Sequence, residues 1–193
     1  MIGWLAYNGQ SFLVRVDPGT VWLYVPPDLA SPQNLSALRA GAAQVTAMAR
    51  GYANVEVVAD RPSGGAVVFD VAIDPTIADR GAAAATERTS ENFRVGGGKI
   101  SYARREYLAD FRIARHELGH ALGFNHNPDA GVMNANGGYA FSDFTDAEKY
   151  ALRVMFVRIP GTDWQDDQTR ALARSSILRA DGLMTTRFVC DFR

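Results

Sequence analysis

The chain has three histidines, and all of them lie between positions 116 and 126. They fall in the run HELGHALGFNH, which matches the pattern H-E-x-x-H-x-x-G-x-x-H at every fixed position. Imidazole nitrogen is a common zinc ligand, and a neighbouring carboxylate can accept and return protons. These residue types predict a metal-assisted hydrolytic site.

The spacing of the first three residues suits a helix. His116 and His120 are four positions apart, so a helix projects both from one face and allows both to reach one zinc ion. Glu117 lies about 100° around the helix, where it reaches a metal-bound water more readily than the metal itself. The spacing therefore predicts His116 and His120 as ligands and Glu117 as the base that activates the water.

The third histidine requires the helix to end. Over ten residues of unbroken helix, His126 would lie about 15 Å along the axis from His116 and off the ligand face. Gly123 can adopt the backbone conformation that terminates a helix, after which the chain turns and brings His126 to the metal. We therefore predict Gly123 as the helix break and His126 as the third ligand.

Three neutral protein ligands leave a coordination position for water or substrate, which is typical of catalytic zinc and not of structural zinc. Such a metal polarises a carbonyl and lowers the pKa of its bound water. The alternative is a chance motif, because most helical histidines are simply packed or solvated. That alternative is disfavoured because five fixed residues coincide and no histidine lies outside the motif.

Hydrophobic patterning predicts the elements that position this motif. Helices are expected from Ser31-Pro32 to Gly51, from about 107–110 through the motif, and from the capping box at Thr145 to about Val157. Strands are expected at 12–16, 21–25, 55–59, 67–73 and 99–104, with a further possible strand at 187–189. The almost wholly apolar 67–73 should be a central strand buried on both faces. Residues 74–97, which are polar and rich in Ala and Gly, are expected to be mostly loop.

The sequence resembles the metzincin clan of zinc peptidases, and most closely its matrixin-like bacterial members. Three features carry the resemblance: the histidine motif, the run Gly131-Val132-Met133-Asn134 where the family has its Met-turn, and the capped helix after Thr145. Segments 69–73 and 98–102 are similar to central and edge strands of matrixins. The resemblance spans about 20–160, and its specific part is 116–134.

The resemblance implies a role for each matching residue. His116, His120 and His126 would bind one catalytic Zn²⁺, Glu117 would be the general base and acid, and Met133 would lie beneath the histidines as a hydrophobic floor. An ordinary core methionine is the alternative for Met133, because methionine fills irregular gaps.

The implied fold is α+β, or three-layer α/β in some schemes: a mixed twisted sheet with an active-site helix, a backing helix and a small C-terminal lobe containing a helix. The catalytic domain would span 1–160, with an upper lobe over about 1–124 and a lower lobe over about 125–160. Residues 161–193 would be an extension that packs on the domain or leads to a linker.

By the same resemblance, the function is zinc-dependent endopeptidase activity on a protein or peptide substrate. The substrate would bind as an extended strand beside an edge strand at 99–104, with a specificity pocket near 134–141. A monomer that is secreted or on the cell surface is expected, although no signal peptide is recognisable in this chain. The net charge of -1 argues against nucleic acid as a partner, and no segment is apolar enough to span a bilayer.

Several positions depart from the family pattern. Asn127 follows the third histidine in place of the usual serine, acidic residue or proline, and no further histidine exists for a second zinc. Cys190 lacks a cysteine-switch context and is expected to be a small buried hydrophobe. Tyr139 is expected to line the pocket wall. Calcium is possible but unsupported, since aspartates such as Asp70, Asp74 and Asp79 form no calcium-loop pattern and are interpreted as turn and cap residues.

Two other functions stay open at this point. One is a non-catalytic binding or adhesion module that retains the fold; such modules usually lose the glutamate or a ligand, and neither is missing here. The other is a zinc hydrolase with a non-protein substrate, for which a deep closed pocket without a free strand edge would argue.

Overall fold

The computed structural model describes residues 4–7, 10–127, 129–136, 138–161 and 184–191. Within these residues the chain is a mixed α/β structure, as the sequence predicts at that level. The strands are β1 (Trp4–Tyr7), β2 (Gln10–Leu13), β3 (Gly19–Tyr24), β4 (Ala53–Val58), β5 (Val67–Ile73), β6 (Ala82–Glu91), β7 (Arg94–Tyr102) and β8 (Met184–Asp191). The α-helices are α1 (Pro32–Ala49), α2 (Phe111–Leu122) and α3 (Asp146–Val157), with 3-10 turns at Pro75–Arg80, Arg105–Ala109 and Gly138–Ala140.

Six strands form one sheet in the order β4-β3-β5-β7-β6-β8. The pairs β3–β4, β3–β5 and β5–β7 are parallel, whereas β6 runs antiparallel to both β7 and β8. Strand β5 lies between β3 and β7, as predicted for 67–73, and Phe69 and Val71 on one face are fully buried. The predicted burial of both faces is incomplete, because the Asp70 side chain on the other face is 38% exposed and Ala72 is only partly buried. Strands β1 and β2 form a separate antiparallel pair.

Two sequence predictions about the sheet are wrong. Residues 82–91, expected to be loop, form the ten-residue strand β6. Its alanines, threonines and serine do not form the alternation of bulky apolar and polar residues that is typical of strands. Most of them are nevertheless buried against α2 and the neighbouring strands. This tertiary packing outweighs the weak strand propensity of the segment. Segment 99–104 is not an edge, because β7 pairs with β5 on one side and β6 on the other.

The two long N-terminal helices pack closely. Helix α1 begins at the predicted cap, where the Ser31 hydroxyl accepts a hydrogen bond from the backbone N–H of Asn34. A Cβ atom at Gly41 would lie 2.9 Å from the backbone N of Arg115, so only glycine permits this approach of α1 to α2. One hydrophobic core joins both helices, α3 and the sheet, and it sets the position of α2 over β6.

Helix α3 holds the segment that precedes it. Thr145 and Glu148 form the predicted capping box, and the fully buried Glu148 also accepts a hydrogen bond of 2.8 Å from the backbone N–H of Met133. One carboxylate therefore fixes both the start of α3 and the turn around Met133.

The C-terminal residues contribute to the sheet. Residues 184–191 form β8 on the outer side of β6, while residues 162–183 lie outside the described part of the chain. The division into two lobes and an extension stays a prediction. Among the described helices, none combines the length and apolarity needed to cross a bilayer.

Replacing Glu148 by alanine should destabilise the fold by about 2–3 kcal/mol, because the buried N–H of Met133 loses its acceptor and α3 loses its cap. Urea unfolding followed by circular dichroism measures this change. The control is Arg153→Ala on the exposed side of α3, which should shift stability by less than about 0.5 kcal/mol. Equal losses in the two variants would contradict the role assigned to Glu148.

Candidate metal centre

Helix α2 presents two imidazoles from one face. It begins after Asp110, whose carboxylate accepts a hydrogen bond from the backbone N–H of Arg112. The Nε2 atoms of His116 and His120 lie 3.1 Å apart, and both side chains are buried. Two nitrogens at this separation face a common point, as the four-residue spacing predicts.

The helix ends at Gly123, which has a φ of 133°. A Cβ at this position would lie 2.8 Å from the carbonyl oxygen of Val14, so both the backbone conformation and the surroundings require glycine. Beyond the turn, the ring of His126 lies 5.6 Å from that of His116 and 4.7 Å from that of His120, measured between centroids. The break therefore brings the third imidazole to the other two.

A fourth potential ligand joins the three histidines. Candidate ligand atoms of His116, His120, His126 and Cys190 all lie within 4.8 Å of one another. Cys190 is fully buried, as expected, and its sulfur lies beside Nε2 of His126 and of His120, a position that the interpretation as a small hydrophobe did not anticipate. Sequence reasoning missed this residue because 64 positions separate Cys190 from His126.

Backbone carbonyls orient two of the imidazoles. Nδ1 of His116 lies 2.6 Å from the carbonyl oxygen of Val132, and Nδ1 of His120 lies 2.9 Å from that of Phe124. A carbonyl only accepts, so each Nδ1 carries the proton and each Nε2 presents its lone pair to the cluster. Burial lowers the pKa of His116 to about 4 and that of His120 well below its ordinary value, which favours the neutral form that binds metals.

Glu117 is fully buried beside the cluster. Its Oε2 accepts a hydrogen bond of 2.6 Å from the hydroxyl of Thr86 on β6, while its Oε1 has no hydrogen-bond partner among the described residues. Burial raises the pKa of Glu117 to about 7, against the lowering effects of the Thr86 and Cys190 side chains. Thr86 is a site residue that the sequence analysis missed, because its segment was expected to be loop.

Met133 lies against α2 at Gly119. It is fully buried, and its sulfur packs so close to Gly119 that the methionine would have to shift if this position carried a Cβ. The backbone N–H of Asn127 donates to the carbonyl of Met133 at 2.8 Å, and the Asn134 side chain donates to the carbonyl of Asn127 at 3.2 Å. The unusual Asn127 thus belongs to a closed loop that joins the third histidine to the methionine.

A buried cation and an aromatic ring complete the surroundings. The ring of Phe188 stacks on His120 with centroids 4.6 Å apart, and the Arg88 guanidinium lies 4.4 Å from the centroid of Phe188. Arg88 also donates to the carbonyl of His120 at 3.0 Å, and burial lowers its pKa to about 9. Neither residue was predicted as part of the site.

The donor set fits zinc. Neutral imidazole nitrogen and thiolate sulfur are the ligands that zinc prefers, and four donors can surround it tetrahedrally. Calcium would need a cluster of oxygen ligands, whereas Asp70 pairs with Arg61 and Asp74 caps a 3-10 turn. The side chain of Tyr139 lies outside the described part of the structure.

Comparisons with known proteins give limited additional information. No protein-family model and no curated protein matches the sequence. Among solved structures, the chain is similar to high choriolytic enzyme 1, a hatching enzyme zinc-protease from the medaka fish Oryzias latipes. The match has 16% identity and a TM-score of 0.35, and it covers 69% of this chain and 57% of that chain. The similarity is too low to carry an argument about this site, which rests on its own geometry.

Replacing Gly123 by alanine should lower the free energy of unfolding by about 2 kcal/mol or more, because the backbone conformation and the surroundings both disfavour a side chain here. Metal binding should weaken about tenfold or more, because the turn no longer brings His126 to the other two histidines. Urea unfolding and competition with a chromogenic chelator measure the two effects. Gly51→Ala is the matched control: Gly51 has a φ of 85° but open space around its Cβ position. The free energy of unfolding of the control should fall by about 1 kcal/mol, and its metal affinity should not change. An equal loss of metal affinity in both variants would refute the role of Gly123.

Proposed function

We propose that this protein is a zinc-dependent endopeptidase of the metzincin type, and matrixin-like by its sequence. The observation that carries the proposal is the convergence of His116, His120 and His126 beside the buried carboxylate of Glu117. The motif spacing and the contact of Met133 with α2 support the same conclusion.

The three histidines would hold the metal and keep one position open for chemistry. Zinc, when bound there, polarises a scissile carbonyl and makes water more acidic. Glu117 accepts a proton from the attacking water and transfers it to the leaving amine. Thr86 positions the carboxylate by holding Oε2, which leaves Oε1 for the proton.

A peptide substrate would bind as an extended strand that pairs with the sheet. Strand β6 packs against α2, and its Thr86 hydroxyl contacts both the side chain and the backbone carbonyl of Glu117. We therefore propose that the substrate pairs with β6 in place of the 99–104 segment, on the side that β8 occupies in this structure. Backbone pairing of this kind recognises polypeptides irrespective of many side chains, which favours an endopeptidase. Secretion or surface location and a monomeric state are part of the proposal by resemblance alone.

One observation favours a second candidate, a zinc hydrolase with a small non-protein substrate. Glu117 and His120 are both 0% exposed, and β6 is paired on both sides. An enclosed site of this kind suits a small amide better than a protein. Parallel assays with a peptide library and with small amides separate the two candidates.

Glu117→Gln should reduce peptide hydrolysis by about a thousandfold or more while leaving the zinc content at one per chain, because the amide cannot accept the proton but keeps the shape of the side chain. Zinc analysis and cleavage of a casein-like substrate provide the measurements. His126→Ala serves as the comparison and should lose both zinc and activity.

Two results would refute the proposal. One is a wild-type protein without stoichiometric zinc. The other is a Glu117→Gln variant that hydrolyses peptides at the rate of wild type.

A further inference from the structure

Strand β8 lies along the edge of β6 that the proposed substrate would use. The two strands are antiparallel, with Thr86 opposite Phe188 and Ala84 opposite Cys190. Alternate residues of a strand share a face, so Phe188 and Cys190 project together towards α2. The chain thus carries its own extended segment at the proposed substrate position.

The side chains of β8 reach the centre of the site. Cys190 Sγ lies 3.3 Å from Nε2 of His126 and 3.4 Å from Nε2 of His120. The thiol also interacts with the carboxylate of Glu117. The sulfur therefore lies among the ligands and the base, in the space where water and the scissile carbonyl would have to enter.

We propose that β8 is an internal inhibitor, in which Cys190 is the fourth ligand of the metal and the strand backbone excludes the substrate from β6. This inference rests on the proposed peptidase function. Cysteine binds zinc as a thiolate, so the thiol proton passes to solvent when the sulfur binds and is regained when β8 leaves. No covalent bond of the chain is broken in this exchange.

The three histidines do not depend on Cys190 for their arrangement. His116 and His120 are oriented by the carbonyls of Val132 and Phe124, and His126 follows the turn at Gly123. The cluster would keep three ligands after β8 has left. The fully buried Glu117, with Oε1 unpartnered among the described residues, has no use in a permanently closed four-ligand site, where it would only cost desolvation energy.

Strand β8 is held by its pairing with β6 and by contacts of its side chains. Phe188 stacks on His120 and lies 4.4 Å from the Arg88 guanidinium, and Arg187 forms an ion pair of 3.2 Å with Asp74. Partly exposed ion pairs of this type contribute little to stability. Displacement of the strand by a substrate or an activating cut would open the site without unfolding the core.

The test uses the full chain loaded with zinc or cobalt. Cys190 is the only cysteine, so thiol chemistry reports on this position alone. In the wild-type protein, metal should slow alkylation by iodoacetamide at least about tenfold relative to the chelator-treated protein. Cobalt-loaded wild type should show a sulfur-to-cobalt charge-transfer band, and Cys190→Ala should lose it while keeping stoichiometric metal.

Hydrolysis is measured on the same proteins. Cys190→Ala and Phe188→Ala should cleave a peptide substrate faster than wild type, by up to about a hundredfold if the open state holds about 1% of wild-type molecules. The double variant Cys190→Ala/Glu117→Gln should not show this increase in the rate of hydrolysis. The control is Thr185→Ala, at an exposed position of β8. It should have the same cobalt charge-transfer band, the same alkylation rate and the same rate of peptide hydrolysis as wild type.

Any of four results would overturn the inference. An unchanged cobalt band in Cys190→Ala, or alkylation that is equally fast with and without metal, would exclude Cys190 as a ligand. A wild-type rate equal to that of both strand variants would exclude inhibition. A lost band with no hydrolysis in any variant would overturn the peptidase function itself and identify a closed structural metal site.

Discussion

The end of helix α2 at Gly123 is the constraint on which the site depends. His116 and His120 need a continuous helix to share a face, and His126 needs that helix to stop within a turn of His120. The stop occurs where the chain passes within van der Waals contact of Val14 and Met155, so a side chain at Gly123 has no space. The chain must therefore be helical up to Gly123 and must leave the helix there. Packing of the surrounding core around Gly123 stabilises both.

Buried polar side chains hold the loops that complete this arrangement. Arg115, adjacent to the first histidine and fully buried, donates to Gln44 on α1 and to the carbonyls of Phe141 and Ser142. Glu148 holds Met133 in the same way from α3. Each charge is stabilised by several hydrogen bonds, and in return it fixes the loop to which it is bonded. The metal centre therefore combines residues of helix α2 with irregular segments that the helices hold in place.

Strand β8 changes the interpretation of the site. Three histidines and a glutamate alone indicate an open catalytic centre, whereas the addition of Cys190 and Phe188 encloses it. Both descriptions are compatible if the enclosing element can leave, because the histidines are oriented by contacts within 116–132. The proposed inhibition explains how a catalytic set of ligands can occur together with a fully buried base. Whether Cys190 can leave the metal distinguishes this inhibited site from a permanent structural site.

Local sequence signals determined the helices, the capping box at Thr145, the central strand β5 and the break at Gly123, because helix periodicity, caps and glycine conformation act over a few residues. They also assigned His116, His120 and His126 to one metal, a role that geometry supports and metal analysis would test. Tertiary structure alone decided that 82–91 is a strand, that 99–104 lies inside the sheet, and that Thr86, Arg88 and Cys190 surround the histidines. These depend on pairing between residues far apart in the chain, for which weakly patterned segments carry no local signal.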